Sequence, residues 1–338
     1  MAQVPSQVGR STRPPKARRF LAVAVAAALG LLTACGGSGG GGTADNEPVT
    51  LKVGVIPIAD VAPLYLGMKM GFFEQEKLTI EPQQFAGGAE ILPAVQSGDL
   101  QIGFSNTTSM LIAASKGLPV RIVAQGVQEG ATEPESWMHL FVRSDSDIQS
   151  PKDLAGKTIA INTLQNINDV LTKAALEKQG VDVSTLQFAE VPFPEMNQAL
   201  EGGDVDAIVV VEPFRTIAEK NGLRDIMPTI YDVDPGLTVA TYFAMEPYIQ
   251  QNQDAVERFV RAMNKSLTYA ADHPDDVRAT LGSYTKIPAD LIGQVRLPHW
   301  GTDLNQPSIE LMGRLSKQYG LIEEEPNLAD LIWQPGAS

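Results

Sequence analysis

Two short stretches gather side chains suited to recognising a small molecule. Ser105-Asn106-Thr107-Thr108 offers hydroxyls and an amide, and Asn162, Thr163, Gln165 and Asn166 offer the same mixture further along. Gly87 and Gly88 would let backbone come close to a guest, since neither carries a side chain. Trp137 and Phe193 could stack on a flat ring. Asp60 and Glu212 supply carboxylates, the second at the end of an apolar run, where a charge needs a partner. The chemistry on offer is hydrogen bonding and stacking. Catalysis would need a nucleophile with its base, or metal ligands at metal spacing. His139, His273 and His299 are scattered, Cys35 is the sole cysteine, and no glycine-rich loop with a lysine for nucleotide phosphates is visible. The pattern implies no catalytic group, no cofactor and no metal.

Each residue also has a plainer use. Ser105 or Asn106 suits the cap of the helix that follows it, and Glu212 suits the cap of a helix opening at Pro213. Gly87-Gly88 would serve as a turn. Trp137 would serve as core packing.

The elements that must position these residues alternate. Apolar runs at 49–57, 78–85, 100–104 and 120–127 read as strands, with helices at 62–71, 88–97 and 106–116 between them. The theme repeats with strands at 157–161, 186–191 and 206–211 and helices at 166–179, 194–202 and 213–221. Such alternation predicts an α/β protein with mostly parallel sheets flanked by helices. One phrase occurs twice: 89–104 reads AEILPAVQSGDLQIGF and 194–209 reads PEMNQALEGGDVDAIV, so that Glu90, Gly98 and Asp99 recur as Glu195, Gly203 and Asp204. The doubling predicts two similar sheets, with Gly98 and Gly203 at a helix end where a left-handed backbone is cheap for glycine. Asp99 and Asp204 are expected to bond local amides in those turns. The C-terminal part loses the alternation; helices are expected over 252–270, from Pro274, and over 288–295 and 307–319.

In open α/β sheets, guests sit beyond the carboxyl ends of strands, where helix N-termini present unpaired amides. The loops in that position hold Asp60, Glu90, Glu129, Glu133, Glu135, Glu195 and Glu212 against one basic residue, Arg215. A sulfonate or nitrate would there rely on helix N-termini and hydroxyls alone. A ring with amino donors suits the carboxylates and amides better.

The N-terminus reads as a targeting segment. Arg10, Arg13, Lys16, Arg18 and Arg19 precede the apolar run 20–32, which is short for a membrane span of about 20 residues. Leu32-Thr33-Ala34-Cys35 resembles a bacterial lipobox, which implies a signal peptide over 1–34 and lipid attachment, with its acyl chains, at Cys35. Residues 35–48, rich in glycine, read as a tether; about 12 such residues span roughly 20 Å. The chain carries a net charge of −14, and loss of the leader makes it more negative. Such a surface repels nucleic acid and anionic headgroups.

The stretch 53–124, with Pro63-Leu64-Tyr65, Gly71-Phe72-Phe73, Gly87-Gly88-Ala89 and Ser97-Gly98-Asp99, resembles substrate-binding proteins of ABC importers in the nitrate/sulfonate/taurine and thiamine-pyrimidine-precursor group. SPKDLAGKTIAIN (150–162) and VDAIVVVEPF (205–214) resemble second-lobe landmarks of that family. The resemblance implies a type 2 periplasmic-binding-protein fold. Lobe one would take 49–142 plus 240–338 and lobe two 143–239, with crossover strands near Leu140–Arg143 and Thr238–Ala244. It implies a monomeric lipoprotein on the outer face of the cell membrane. That protein would hand a solute to a permease driven by a separate ATPase, and the solute would be a heteroaromatic such as a thiamine pyrimidine precursor. Three alternatives stay open: an anion binder, a protein delivering its ligand to a sensor, and a pyrimidine-synthase-like enzyme. The last lacks the cysteine cluster of those relatives.

Overall fold

The computed structural model describes residues 47–336. The expected leader, Cys35 and the tether up to residue 46 lie outside them. Ten strands are present among the described residues: β1 (Val49–Val55), β2 (Leu78–Gln84), β3 (Ile102–Asn106), β4 (Val120–Gln128), β5 (His139–Val142), β6 (Thr158–Ile161), β7 (Gln187–Glu190), β8 (Ala207–Val210), β9 (Arg224–Pro228) and β10 (Thr238–Met245). They form two five-stranded sheets, ordered β2-β1-β3-β10-β4 and β7-β6-β8-β5-β9. In the first, β1 pairs parallel with β2 and β3, and β10 runs antiparallel between β3 and β4. In the second, β6 pairs parallel with β7 and β8, and β5 runs antiparallel between β8 and β9. The two sheets thus share one plan, each with a single reversed strand supplied from across a crossover.

The doubled phrase falls at the same place in both. The helix Gly88–Ser97 ends at Gly98 (φ 85°) before β3, and the helix Phe193–Gly202 ends at Gly203 (φ 79°) before β8. A left-handed residue is needed to turn each helix into its strand, and glycine adopts it without a Cβ clash. Asp99 accepts from the Ser97 hydroxyl at 2.8 Å, a side-chain donor where a turn amide was expected.

Two expectations are corrected. β5 pairs only within the second sheet and β10 only within the first. The chain therefore passes between sheets in residues 129–138 and 229–237, ahead of the positions read from sequence. Both strands are buried along their whole length; such runs announce a strand but not the sheet that receives it. Over 288–295 the only helical element is a single 3-10 turn, Ile292–Gln294. Pro288 and Gly293 shorten what hydrophobic spacing alone suggested.

The C-terminal half packs mainly on the first sheet. The helix Gln253–Asp272 turns Val256, Phe259, Met263 and Leu267 inward. Phe259 there meets Tyr242 of β10 edge-on, and Tyr242 meets Phe104 of β3. The helix Gln306–Gln318 reaches the other lobe as well: Gln318 and Tyr319 donate to Glu177 at 2.9 and 2.8 Å. Among the described residues no helix is long and apolar enough to cross a membrane.

Candidate functional site

A cavity of about 40 Å³ lies between the sheets, at the carboxyl ends of their parallel strands. Ile56 and Ile58 follow β1, and Asp60 sits on the single turn Ala59–Val61. Phe104 and Asn106 end β3; Asn162 follows β6; Asn166 and Phe193 stand at helix starts; Val211 follows β8. Trp137 and Met138 come from the first crossover, and Val239 and Ala240 from the start of β10. Larger hollows exist on the outside, one of about 410 Å³ around Arg121 and Asp330, but that one is lined by the first lobe alone. On the measure by which one water needs about 10–15 Å³, the inner cavity has room for only a few waters or part of one small ring.

Of the residues singled out from sequence, Asp60, Asn106, Trp137, Asn162, Asn166 and Phe193 line this cavity. Asn106 accepts from the Ser109 amide at 2.8 Å and Asn166 from the Ile167 amide, so both cap helices while standing at the wall. Asn162 accepts from Asn168 at 2.8 Å. With these oxygens engaged, the amide nitrogens of the three asparagines are the donors left for a guest. Trp137 is fully buried, and its indole donates to the Gln128 carbonyl at 3.4 Å.

Asp60 is the least satisfied group in the wall. It is 4% exposed and its Oδ1 has no hydrogen-bond partner. Burial holds its carboxyl well above the usual carboxylate range; its own backbone amide opposes this, and nearby Glu129 adds to it. A buried polar atom without a partner is costly, so this one is poised to gain from a bound donor or acceptor.

The remaining candidates sit elsewhere. Ser105 faces the start of the helix at Gly88, where an added methyl would come within 2.3 Å of its Oγ. The Thr107 hydroxyl turns to the Thr238 and Val239 carbonyls at 3.3 and 3.4 Å. Gly87 lies where the lobes meet, and a methyl there would sit 2.6 Å from Thr163 Oγ1. Glu212, fully buried, accepts from the amide of Thr216 at 3.1 Å and from its hydroxyl, and from the Arg296 amide at 3.1 Å.

Glu212 belongs to a second cluster, beside the crossovers. Arg215 donates to the Ser136 carbonyl and pairs with Glu219 at 3.3 Å and Asp225 at 3.6 Å. Asp225 also holds His139 Nδ1 at 2.9 Å. Ser136 donates to Glu129 at 3.0 Å, and Arg296 reaches Glu219 at 2.7 Å. Burial pushes Glu129 and Glu212 up to about 7 each; hydrogen bonds and the Arg215 charge restrain both. Arg215, the one basic residue in the loops expected to face a guest, is thereby spent on the first crossover, on β9 and on its own helix. None of the residues lining the inner cavity is basic.

Sequence reasoning did not single out Asn168 or the aliphatic wall of Ile56, Ile58, Met138, Ile167, Val211, Val239 and Ala240, with Phe104. Asn168 had a signal, since it shares a short run with Asn162 and Asn166. The apolar residues had none, because a strand end facing a cavity reads like one facing core. Among the described residues no group of three or more His, Cys, Asp or Glu is placed to hold a metal ion.

Residues 58–277 match the protein family described as NMT1/THI5 like. The formylaminopyrimidine-binding protein of Halalkalibacterium halodurans is 24% identical over 234 residues, which are 68% of this chain and 68% of that one. The taurine-binding periplasmic protein of Escherichia coli is 29% identical over 151 residues, 45% of each chain. The solved structure of the periplasmic aliphatic sulphonate binding protein of Escherichia coli shares the fold with a TM-score of 0.70. It is 19% identical, and the match covers 85% of this chain and 93% of that one.

Proposed function

The chain belongs to the NMT1/THI5-like family, and from that membership and the cavity we propose that it is a solute-binding protein for a small, flat heteroaromatic bearing an amino group, such as an aminopyrimidine. The observation that carries this reading is the composition of the wall. Phe104, Trp137 and Phe193 bring aromatic rings to the wall, Asn106, Asn162 and Asn166 bring amide donors, Asp60 brings a carboxyl whose Oδ1 lacks a partner, and no basic side chain lines it. A carboxyl group matches the N–C–NH₂ edge of an aminopyrimidine, accepting from the amino group while the ring nitrogen takes or shares the acid proton. An anion would find no basic side chain among the lining residues.

Capture is by closure. The guest touches both lobes and so favours the closed arrangement through its differential affinity. Contacts across the cleft already join the lobes: Ala59 donates to the Glu212 carbonyl at 2.9 Å, and Arg296 bonds both Glu212 and Glu219. The closed, loaded protein would dock on an ABC permease powered by a separate ATPase. Lipid at Cys35 would hold it, as a monomer, at the outer face of the membrane, and the guest would leave unchanged. The names of the formylaminopyrimidine-binding and taurine-binding relatives frame the choice of ligand, and the wall favours the first chemistry.

A thermal-shift screen tests the reading. A ligand at 100 times its dissociation constant adds about 2.7 kcal/mol. Aminopyrimidines are expected to stabilise the protein and alkanesulfonates and nitrate to leave it unmoved. The opposite order would move the ligand to the anion class.

A further inference from the structure

Next to the polar cavity lies a second hollow of about 80 Å³, and the two share Ile56, Ile58 and Phe193. Its other walls include Phe85, Pro192 and Phe214, and no side chain with a nitrogen or oxygen faces it. The strands place it. Phe85 follows β2 and is tied to β1 by its amide, which donates to the Val55 carbonyl at 2.9 Å. Pro192 follows β7, the counterpart of β2 in the second sheet. The slot is thus built from both lobes: the counterpart loops after β2 and β7, the loop after β1, and Phe214 beyond β8. Phe193 and Phe214 stand nearly parallel, 12° apart with centroids at 6.0 Å, and Pro192 fixes its own backbone. Phe85 and Phe214 are half-buried, so the slot borders solvent.

We infer that this slot is a subsite for an apolar substituent on the ring held in the polar cavity. The inference rests on the reading of that cavity given above. Two facts carry it. The slot adjoins the cavity, with Ile56, Ile58 and Phe193 lining both, and at about 80 Å³ it is twice as large, while the cavity itself holds part of a small ring. A bare ring would leave the apolar walls wet. A short hydrocarbon arm of roughly three or four carbons would fill them and displace water that finds no polar partner there. The substrate class is therefore an aminopyrimidine, or a similar ring, with a short apolar substituent beside its amino edge.

The probes are 4-amino-2-methylpyrimidine and its 5-methyl, 5-ethyl and 5-propyl derivatives, titrated calorimetrically into the full protein and into Phe85→Ala. The expected result is a tighter complex with each added carbon, about fourfold per methylene. In Phe85→Ala the ratio of 5-propyl to unsubstituted affinity shrinks towards one. Comparing ratios within one variant cancels any general effect of the substitution. Equal or falling affinity along the series in wild type, with the parent ring still bound, would overturn the subsite and leave the reading of the polar cavity standing. Binding by none of the four would overturn both.

Discussion

The amide of Arg296, in the segment packed with the first lobe, donates to the carboxylate of Glu212 on the second at 3.1 Å. Glu212 also accepts from Thr216 on its own helix, and its carbonyl accepts from Ala59 across the cleft. One residue at the end of β8 therefore ties its helix to its strand and both to the other lobe.

Glu212→Ala is expected to destabilise the protein by about 2–4 kcal/mol, since it leaves buried donors unmatched. Its effect on ligand affinity should follow from weakened closure, because Glu212 does not line the inner cavity. Denaturant titration checks this, and an unchanged midpoint would show that the strap carries nothing.

Acid–base behaviour gives a second test. Glu129 and Glu212 sit at about 7 in the folded protein, raised by burial from 4.5. Between those values the folded state keeps a proton that the unfolded chain has lost. Their contribution to stability is present below about pH 4.5 and drains as pH rises towards 7. Glu129→Gln removes one of the two titrations. From pH 5 to 8 the wild type should lose more stability than this variant, and parallel curves would contradict the assignment.

Closure depends on the absence of a side chain at Gly87. A Cβ there would approach Thr163 Oγ1 to 2.6 Å across the cleft. Gly87→Val should prop the lobes apart at a cost of about 1–3 kcal/mol, a loss of affinity of roughly 5- to 150-fold. Adding Thr163→Ala should restore much of it. Small-angle scattering of the variants with ligand reads the same effect as a larger radius of gyration. A Gly87→Val protein that closes normally would place the lobe contact elsewhere.

The sheets were legible because alternation and the twin glycine turns are local signals. Gly98 and Gly203 need a positive φ whatever surrounds them. The crossovers were not, because β5 and β10 are buried strands whose partners lie far along the chain. The same division holds at the cavity. Asp60, Asn106, Asn162 and Asn166 are polar residues just past strand ends, and such positions face a cleft in this architecture. Glu212 occupies a similar position, yet its partner Arg296 lies 84 residues away, and nothing local announces that bond. Arg215 was legible as the lone base of those loops but not as a tie between the first crossover and β9, since Ser136 and Asp225 meet it only in the folded chain.

The central claim is that Asp60 reads an amino-bearing ring, and Asp60→Leu tests it most directly. An unpartnered buried carboxyl is a burden on the empty protein, so its removal should hold or raise the denaturation midpoint. The same change should cut the calorimetric affinity for 4-amino-2-methylpyrimidine by about 10–100-fold, with taurine giving no binding heat to either protein. Unchanged pyrimidine affinity in Asp60→Leu, or saturable taurine binding that improves when the carboxyl is gone, would contradict the account.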